Sequence, residues 1–122
     1  MSDPRHLLGR RGEQAVATWL TGRGWTVLAA RWRCPAGELD LVCRDPGGAL
    51  VGVEVKVRRN RRAGSGAEAL TARSLRRLRA TLGAFARARP FVHGNARIDL
   101  VEVNREEGGV WRLRRVPVAD AW

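Results

Sequence analysis

Two short stretches, Gly37-Glu38-Leu39-Asp40-Leu41-Val42 and Val51-Gly52-Val53-Glu54-Val55-Lys56-Val57, decide how this chain folds. Both alternate as strands do, and between them Asp45-Pro46-Gly47-Gly48 is a tight-turn signal. They therefore read as an antiparallel hairpin, Glu38 to Arg44 and Ala49 to Arg58. In the second strand Val51, Val53, Val55 and Val57 share one face, and Gly52, Glu54 and Lys56 share the other. Opposed residues share a face, so Asp40 can pair with Glu54 but not with Val53. That register needs a three-residue loop, Pro46-Gly47-Gly48, built as a type I turn followed by a left-handed residue. Pro46 and Gly48 suit those two positions. Asp40 then faces Glu54, and Glu38 faces Lys56.

Outward from the hairpin, the pattern is that of one α/β domain spanning residues 1–122. Pro4 to Thr21 has apolar residues at helical spacing, with Ser2 or Asp3 as cap and Glu13 beside the apolar stripe. Trp25 to Arg31 reads as a strand. After the hairpin, Arg59 to Gly66 is a polar loop, and Ala67 to Ala88 is a second helix with Leu75, Leu78, Leu82 and Phe85 on its apolar side. Strands at Arg97 to Asn104 and Val110 to Val118 close the chain, giving the order α-β-β-β-α-β-β.

Composition narrows the function. The chain has 122 residues and a net charge of +11, which favours a polyanionic partner. Its two cysteines, Cys34 and Cys43, exclude a disulfide scaffold or a four-ligand zinc site and read as free thiols. No signal peptide precedes the first charges, and no run approaches the ~20 apolar residues of a membrane span, so the expected setting is the cytoplasm. Of the 23 basic residues, 22 are Arg and one, Lys56, is Lys. Arg does not release its proton in proteins and Lys does, so the lone Lys singles itself out.

Like charges opposed on a hairpin, with β-carbons about 4.5–5.5 Å apart, destabilise it. Asp40 and Glu54 call for something positive between them. Lys56 lies on the same face, and a hard divalent cation held by one or two carboxylates fits better still, with the Val55 carbonyl as a further oxygen. Such a site suits phosphodiester hydrolysis, with Lys56 orienting water or stabilising charge on the phosphorane. The bland alternative is a solvated hairpin face with ordinary ion pairs, because Glu-x-Lys on its own is a weak pattern. Arg58, Arg59, Arg61 and Arg62 follow directly, and Arg73, Arg76 and Arg77 lie on the polar side of the second helix. Together they suit a phosphate backbone. Trp32, between two arginines, suits stacking on a base. Asp99, in Arg-Ile-Asp-Leu-Val, mimics the Glu38–Val42 stretch without a following Glu-x-Lys and reads as structural.

Gly12-Glu13, Gly37-Glu38-Leu39-Asp40-Leu41 and Val53-Glu54-Val55-Lys56, in this order and on these elements, resemble the YraN-like family of small bacterial proteins. That family is similar to archaeal Holliday-junction resolvases and to the PD-(D/E)xK nucleases, and the resemblance spans residues 8 to 103. It implies a restriction-endonuclease-like core and a Mg2+- or Mn2+-dependent endonuclease acting on DNA, branched DNA included. Asp40 matches the metal-binding Asp, Glu54 and Lys56 match the (D/E)xK pair, and Glu13 matches a first-helix Glu that adds a carboxylate. Glu38 matches an accessory motif position. Leu39 stands where the superfamily name expects Pro, and Val57 replaces a common hydroxyl residue. The resemblance also implies a homodimer, since symmetric junctions need two cuts. Two rival readings remain at this point: a nucleic-acid-binding protein that keeps the fold without cleaving, and a basic scaffold for an acidic partner.

Overall fold

In the computed structural model, residues 4–58, 70–89 and 94–122 are described. The order is α1 (Pro4–Gly22), β1 (Thr26–Cys34), β2 (Gly37–Arg44), β3 (Leu50–Arg58), α2 (Ala72–Ala88), β4 (Ala96–Arg105) and β5 (Trp111–Asp120). This is the α-β-β-β-α-β-β order that the alternation predicts. The five strands form one mixed sheet in chain order, β1-β2-β3-β4-β5. Only β3 and β4 run parallel, and α2 is the crossover that a parallel pair requires.

The sheet is covered on both faces. Val16 and Leu20 of α1 pack on Leu41, Cys43, Val51, Val53, Val101 and Val103. Leu78, Leu82 and Phe85 of α2 pack on Leu39, Val42, Leu50 and Ile98 from the other side. The split of β3 into two faces is the one read from its alternation. Gly12, Val16 and Leu20 are buried at four-residue spacing along α1. A Cβ at Gly12 would collide with Val57, so glycine lets the start of the helix lie against β3. That close approach is what brings the next residue, Glu13, to the level of the carboxylates.

The hairpin register is as expected. Leu41 pairs with Val53, and the pairing continues to Arg44 with Leu50. Gly48 N–H donates to Asp45 O at 3.0 Å, and Asp45 N–H donates to Ala49 O at 3.0 Å, closing the three-residue loop. Gly48 has φ +93°, the left-handed position of that turn.

Two boundaries differ by three residues or more. The second helix starts at Ala72, not Ala67, because Thr71 caps it: the Thr71 hydroxyl accepts the Ser74 N–H at 3.0 Å. The first strand continues past Arg31 to Cys34. The cap expected at Ser2 or Asp3, and the loop arginines 59, 61 and 62, lie outside the described residues. Among the described residues, no helix is long and apolar enough to cross a membrane.

Candidate active site at the opening between β2 and β3

Main-chain pairing between β2 and β3 stops at Leu41–Val53. Continued, the register would set Asp40 opposite Glu54 and Leu39 opposite Val55. Instead the strands part, and a side chain takes over the pairing: Asp40 Oδ2 accepts the Val55 N–H at 2.7 Å. Val55 thus donates its N–H to Asp40 at the mouth of the opening. Leu39 turns with the strand. Strict alternation would place it with Leu41 on the α1 side, yet it is buried with Val42, Leu82 and Phe85 on the α2 side. The neighbouring strand changes course at the same level. Arg31, between the pairs Ala30–Leu41 and Trp32–Leu39, has φ +48°. A left-handed non-glycine residue inside a strand costs about 1–2 kcal/mol and persists only where its surroundings impose it.

Beyond this bend Trp32 meets Phe85 edge-on, with ring centroids 5.3 Å apart. Its indole is half-buried against α2.

The opening holds Asp40 and Glu54 together. Burial is the main cause that raises the Glu54 carboxyl, followed by a hydrogen bond to the Asp40 carboxyl and the Asp40 charge; Lys56 opposes them, and the result is about 9. Two carboxyl groups hydrogen-bond each other only if one keeps its proton. Sharing the opening with Asp40 therefore drives Glu54 toward its protonated form. Lys56 is exposed, two residues along the same face.

Glu13 approaches from α1. Burial pushes its carboxyl up, as do the charges of Asp40 and Glu38, while Arg31 and Arg10 pull it down. Glu13 Oε2 lies 3.5 Å from Arg31 Nε, so the strained residue at the bend carries the counter-charge of the helix carboxylate. Glu38 accepts from Arg33 Nε at 3.0 Å. Its expected cross-strand partner Lys56 is replaced by Arg33 because β2 has left β3 at this point.

Among the described residues, no three Asp, Glu, His or Cys side chains converge into a ligand set of their own. Glu13, the expected third carboxylate, pairs with Arg31 and lies near enough to Asp40 to feel its charge. The Asp40–Glu54 pair alone suits a hard cation, which takes one or two carboxylates and completes its shell with water and phosphate.

The arginines distribute unevenly. Arg58 is half-buried at the end of β3. Arg73, Arg76 and Arg77 are exposed on α2, away from the side that packs through Leu78, Leu82 and Phe85. Sequence reading passed over Glu102, which is 5 % exposed and flanked in the sheet by Lys56 on β3 and Arg114 on β5. Its Oε2 lies 4.0 Å from Arg114 Nη1. The signal was present: Val101-Glu102-Val103 repeats Val53-Glu54-Val55 on the neighbouring parallel strand.

Compared with known proteins, residues 12–103 match the model of "Uncharacterised protein family UPF0102". A UPF0102 protein of Kineococcus radiotolerans is 44 % identical over 113 residues, covering 92 % of each chain. One from Renibacterium salmoninarum is 43 % identical over 109 residues, 89 % of this chain and 92 % of the relative. One from Symbiobacterium thermophilum is 40 % identical over the same length and shares. The matched span contains Glu13, Glu38, Asp40, Glu54 and Lys56.

Proposed function

The chain belongs to the UPF0102 family, which is the YraN-like family, and from that premise we propose that it is a divalent-metal-dependent endonuclease of the cytoplasm that hydrolyses phosphodiester bonds in DNA. One observation carries the reading: two carboxyl groups from adjacent strands meet where the strands part, half-buried and without a full counter-charge, with a lysine on the same face. A fold gains nothing from such an arrangement by itself, since opposed like charges destabilise a sheet.

Asp40 and Glu54 are the residues that hold the cation, Mg2+ or Mn2+. When bound, the ion polarises the phosphate and makes water a nucleophile at neutral pH. Asp40 is fixed by the Val55 N–H, so it offers its remaining lone pairs from a set position. A bound cation would favour the ionised form of Glu54, so Glu54 would serve as the second carboxylate that holds it. Lys56 places an ammonium beside the reacting phosphate and steadies the negative charge that grows there. Glu13, paired with Arg31, adds a nearby carboxylate that supports the metal or orients water. Net charge +11 draws the polyanion in.

The test is a cleavage assay on linear, flapped and four-way DNA, with and without manganese, for the wild type and Asp40→Asn. The expected result is metal-dependent cleavage by the wild type and none by Asp40→Asn. Binding without cleavage by either protein in any metal would leave the non-catalytic nucleic-acid-binding reading in its place.

A further inference from the structure

On the flank of α1 away from Glu13 runs a groove that the site chemistry does not use. Arg11, Gln14, Ala15, Thr18 and Trp19 form its helical wall. Their spacing is i, i+3, i+4, i+7 and i+8, which is one face of a helix. Glu13 is off that face, toward Asp40, and Gly12, Val16 and Leu20 point to the sheet. One helix thus separates the carboxylate site from the groove. The opposite wall is Arg105, the last residue of β4, with Trp111, the first of β5, which pair across the hairpin. Arg105 lies on β4 three residues beyond Glu102, the partner of Lys56, so the groove opens at the same end of the sheet as the site. It is open to solvent, with a volume of about 510 Å³. From Arg11 to Trp19 it runs roughly 12 Å at the helical rise per residue.

Its chemistry is selective. Trp19 and Trp111 are half-buried, each packed against the core on the α1 side of the sheet. The Arg105 guanidinium stacks 5.8 Å from the Trp111 ring centroid, and that of Arg23 lies 4.9 Å from the Trp19 centroid. No acidic side chain is among the described residues lining the groove. Anchored flat rings next to cations, with no acid between, fit a chain that has an anionic backbone and flat apolar faces. Nucleic acid has both. An acidic peptide supplies the charge without the rings. Paired bases in a duplex hide their faces, so the strand that fits is a single one.

We propose that this groove binds single-stranded nucleic acid, with a base against Trp111 and the phosphates on Arg11 and Arg105, and that the substrate of the carboxylate site carries a single-stranded branch. The second half of this rests on the endonuclease reading. The first half does not.

Binding is measured by quenching of tryptophan fluorescence with a short oligothymidylate, in EDTA so that no cleavage occurs, and with an oligouridylate as the second arm. Trp111→Ala should weaken binding by roughly 10- to 100-fold, the scale of one stacked base. Trp111→Phe, which keeps a ring in the core, should recover most of it. A fold defect would instead lower the melting temperature of the Ala variant without this recovery of affinity. Arg11→Gln with Arg105→Gln should reduce the log–log salt slope by about 1.4, two phosphates on a single strand. Unchanged affinity in Trp111→Ala together with an unchanged slope overturns the groove. So does displacement of the oligonucleotide by polyglutamate at equal charge. If cleavage is never seen but these variants weaken binding, the groove stands and the endonuclease reading falls. If branched DNA is cut as well by Trp111→Ala as by wild type, and oligonucleotide binding is unchanged, the groove falls alone.

Discussion

Glu38-Leu39-Asp40-Leu41-Val42 and Arg97-Ile98-Asp99-Leu100-Val101 are nearly the same strand written twice, and the protein uses them in opposite ways. Asp99 is fully buried and fully matched: Arg97 Nε donates to Oδ1 at 3.0 Å and Arg115 Nη1 to Oδ2 at 2.8 Å. Arg97 also reaches Asp45 at 2.6 Å. Burial raises the Asp45 carboxyl, but the bonds from Arg97 and the Ala49 N–H outweigh it and hold it below its ordinary value. Both guanidinium groups lie over Trp25, at 5.6 and 5.4 Å from the ring centroid. At the other stretch, Asp40 meets a second carboxyl where Asp99 meets cations. The residue two before the aspartate differs, Arg97 against Glu38, and so does the neighbouring strand, which supplies Arg115 in one case and Glu54 in the other. Asp99 is balanced by its neighbours, and Asp40 is set beside a like charge.

The sharpest way to break the contrast is to remove each aspartate. Asp99→Ala leaves two guanidinium groups without their carboxylate and should cost on the order of 3 kcal/mol in urea unfolding. Lys56→Ala should leave DNA affinity in place and lower the cleavage rate about 100- to 1000-fold, the scale of one lost electrostatic donor to the transition state. Lys56→Arg should not restore it fully, since guanidinium is flat and cannot act as a proton donor or acceptor near neutral pH.

The pH dependences should also run in opposite directions. Folding raises Glu54 from 4.5 to about 9, so the folded protein keeps a proton that the unfolded chain releases in that interval. The stability that Glu54 contributes is full below 4.5 and declines as pH rises to about 9. Folding lowers Asp45, so its contribution is present above 3.8 and fades as pH falls further. Urea midpoints in EDTA between pH 5 and 9 should slope downward in the wild type and flatten in Glu54→Gln. Equal slopes would remove Glu54 as the source. The smallest effect concerns the outer arginines. Arg73→Ala, Arg76→Ala and Arg77→Ala together should flatten the salt dependence of duplex binding by up to about 0.9 for each phosphate that the three arginines neutralise. An unchanged slope would take α2 out of the binding surface.

Much of this was legible in the residues alone. The element order, the three-residue loop and the hairpin register follow from period-two alternation and turn chemistry, because one buried face on each strand fixes the pairing. Asp40, Glu54 and Lys56 follow from that register. The bend at Arg31 and Leu39 was not legible, since strict alternation gives no sign of a strand leaving its partner. That bend sets Trp32 against Phe85, Glu38 beside Arg33 and Glu13 beside Arg31. The start of α2 was hidden because Leu70 continues an apolar stripe that the Thr71 cap interrupts. Trp111 and Arg105 sit far from the motif in sequence and meet α1 only through the fold.

Thermal melts of the wild type and Asp40→Asn, each in EDTA and in millimolar manganese, test the central claim that the Asp40–Glu54 pair is built for a cation. In the wild type, metal at 100 times its dissociation constant should add about 2.7 kcal/mol, a shift of several degrees. Asp40→Asn keeps an oxygen for the Val55 N–H and loses a charge beside Glu54. It should melt at or above the wild type in EDTA and respond little to manganese. A wild type that ignores manganese, beside an Asp40→Asn that melts clearly lower in EDTA, would show that these carboxylates serve the fold as Asp99 does, and would contradict the account.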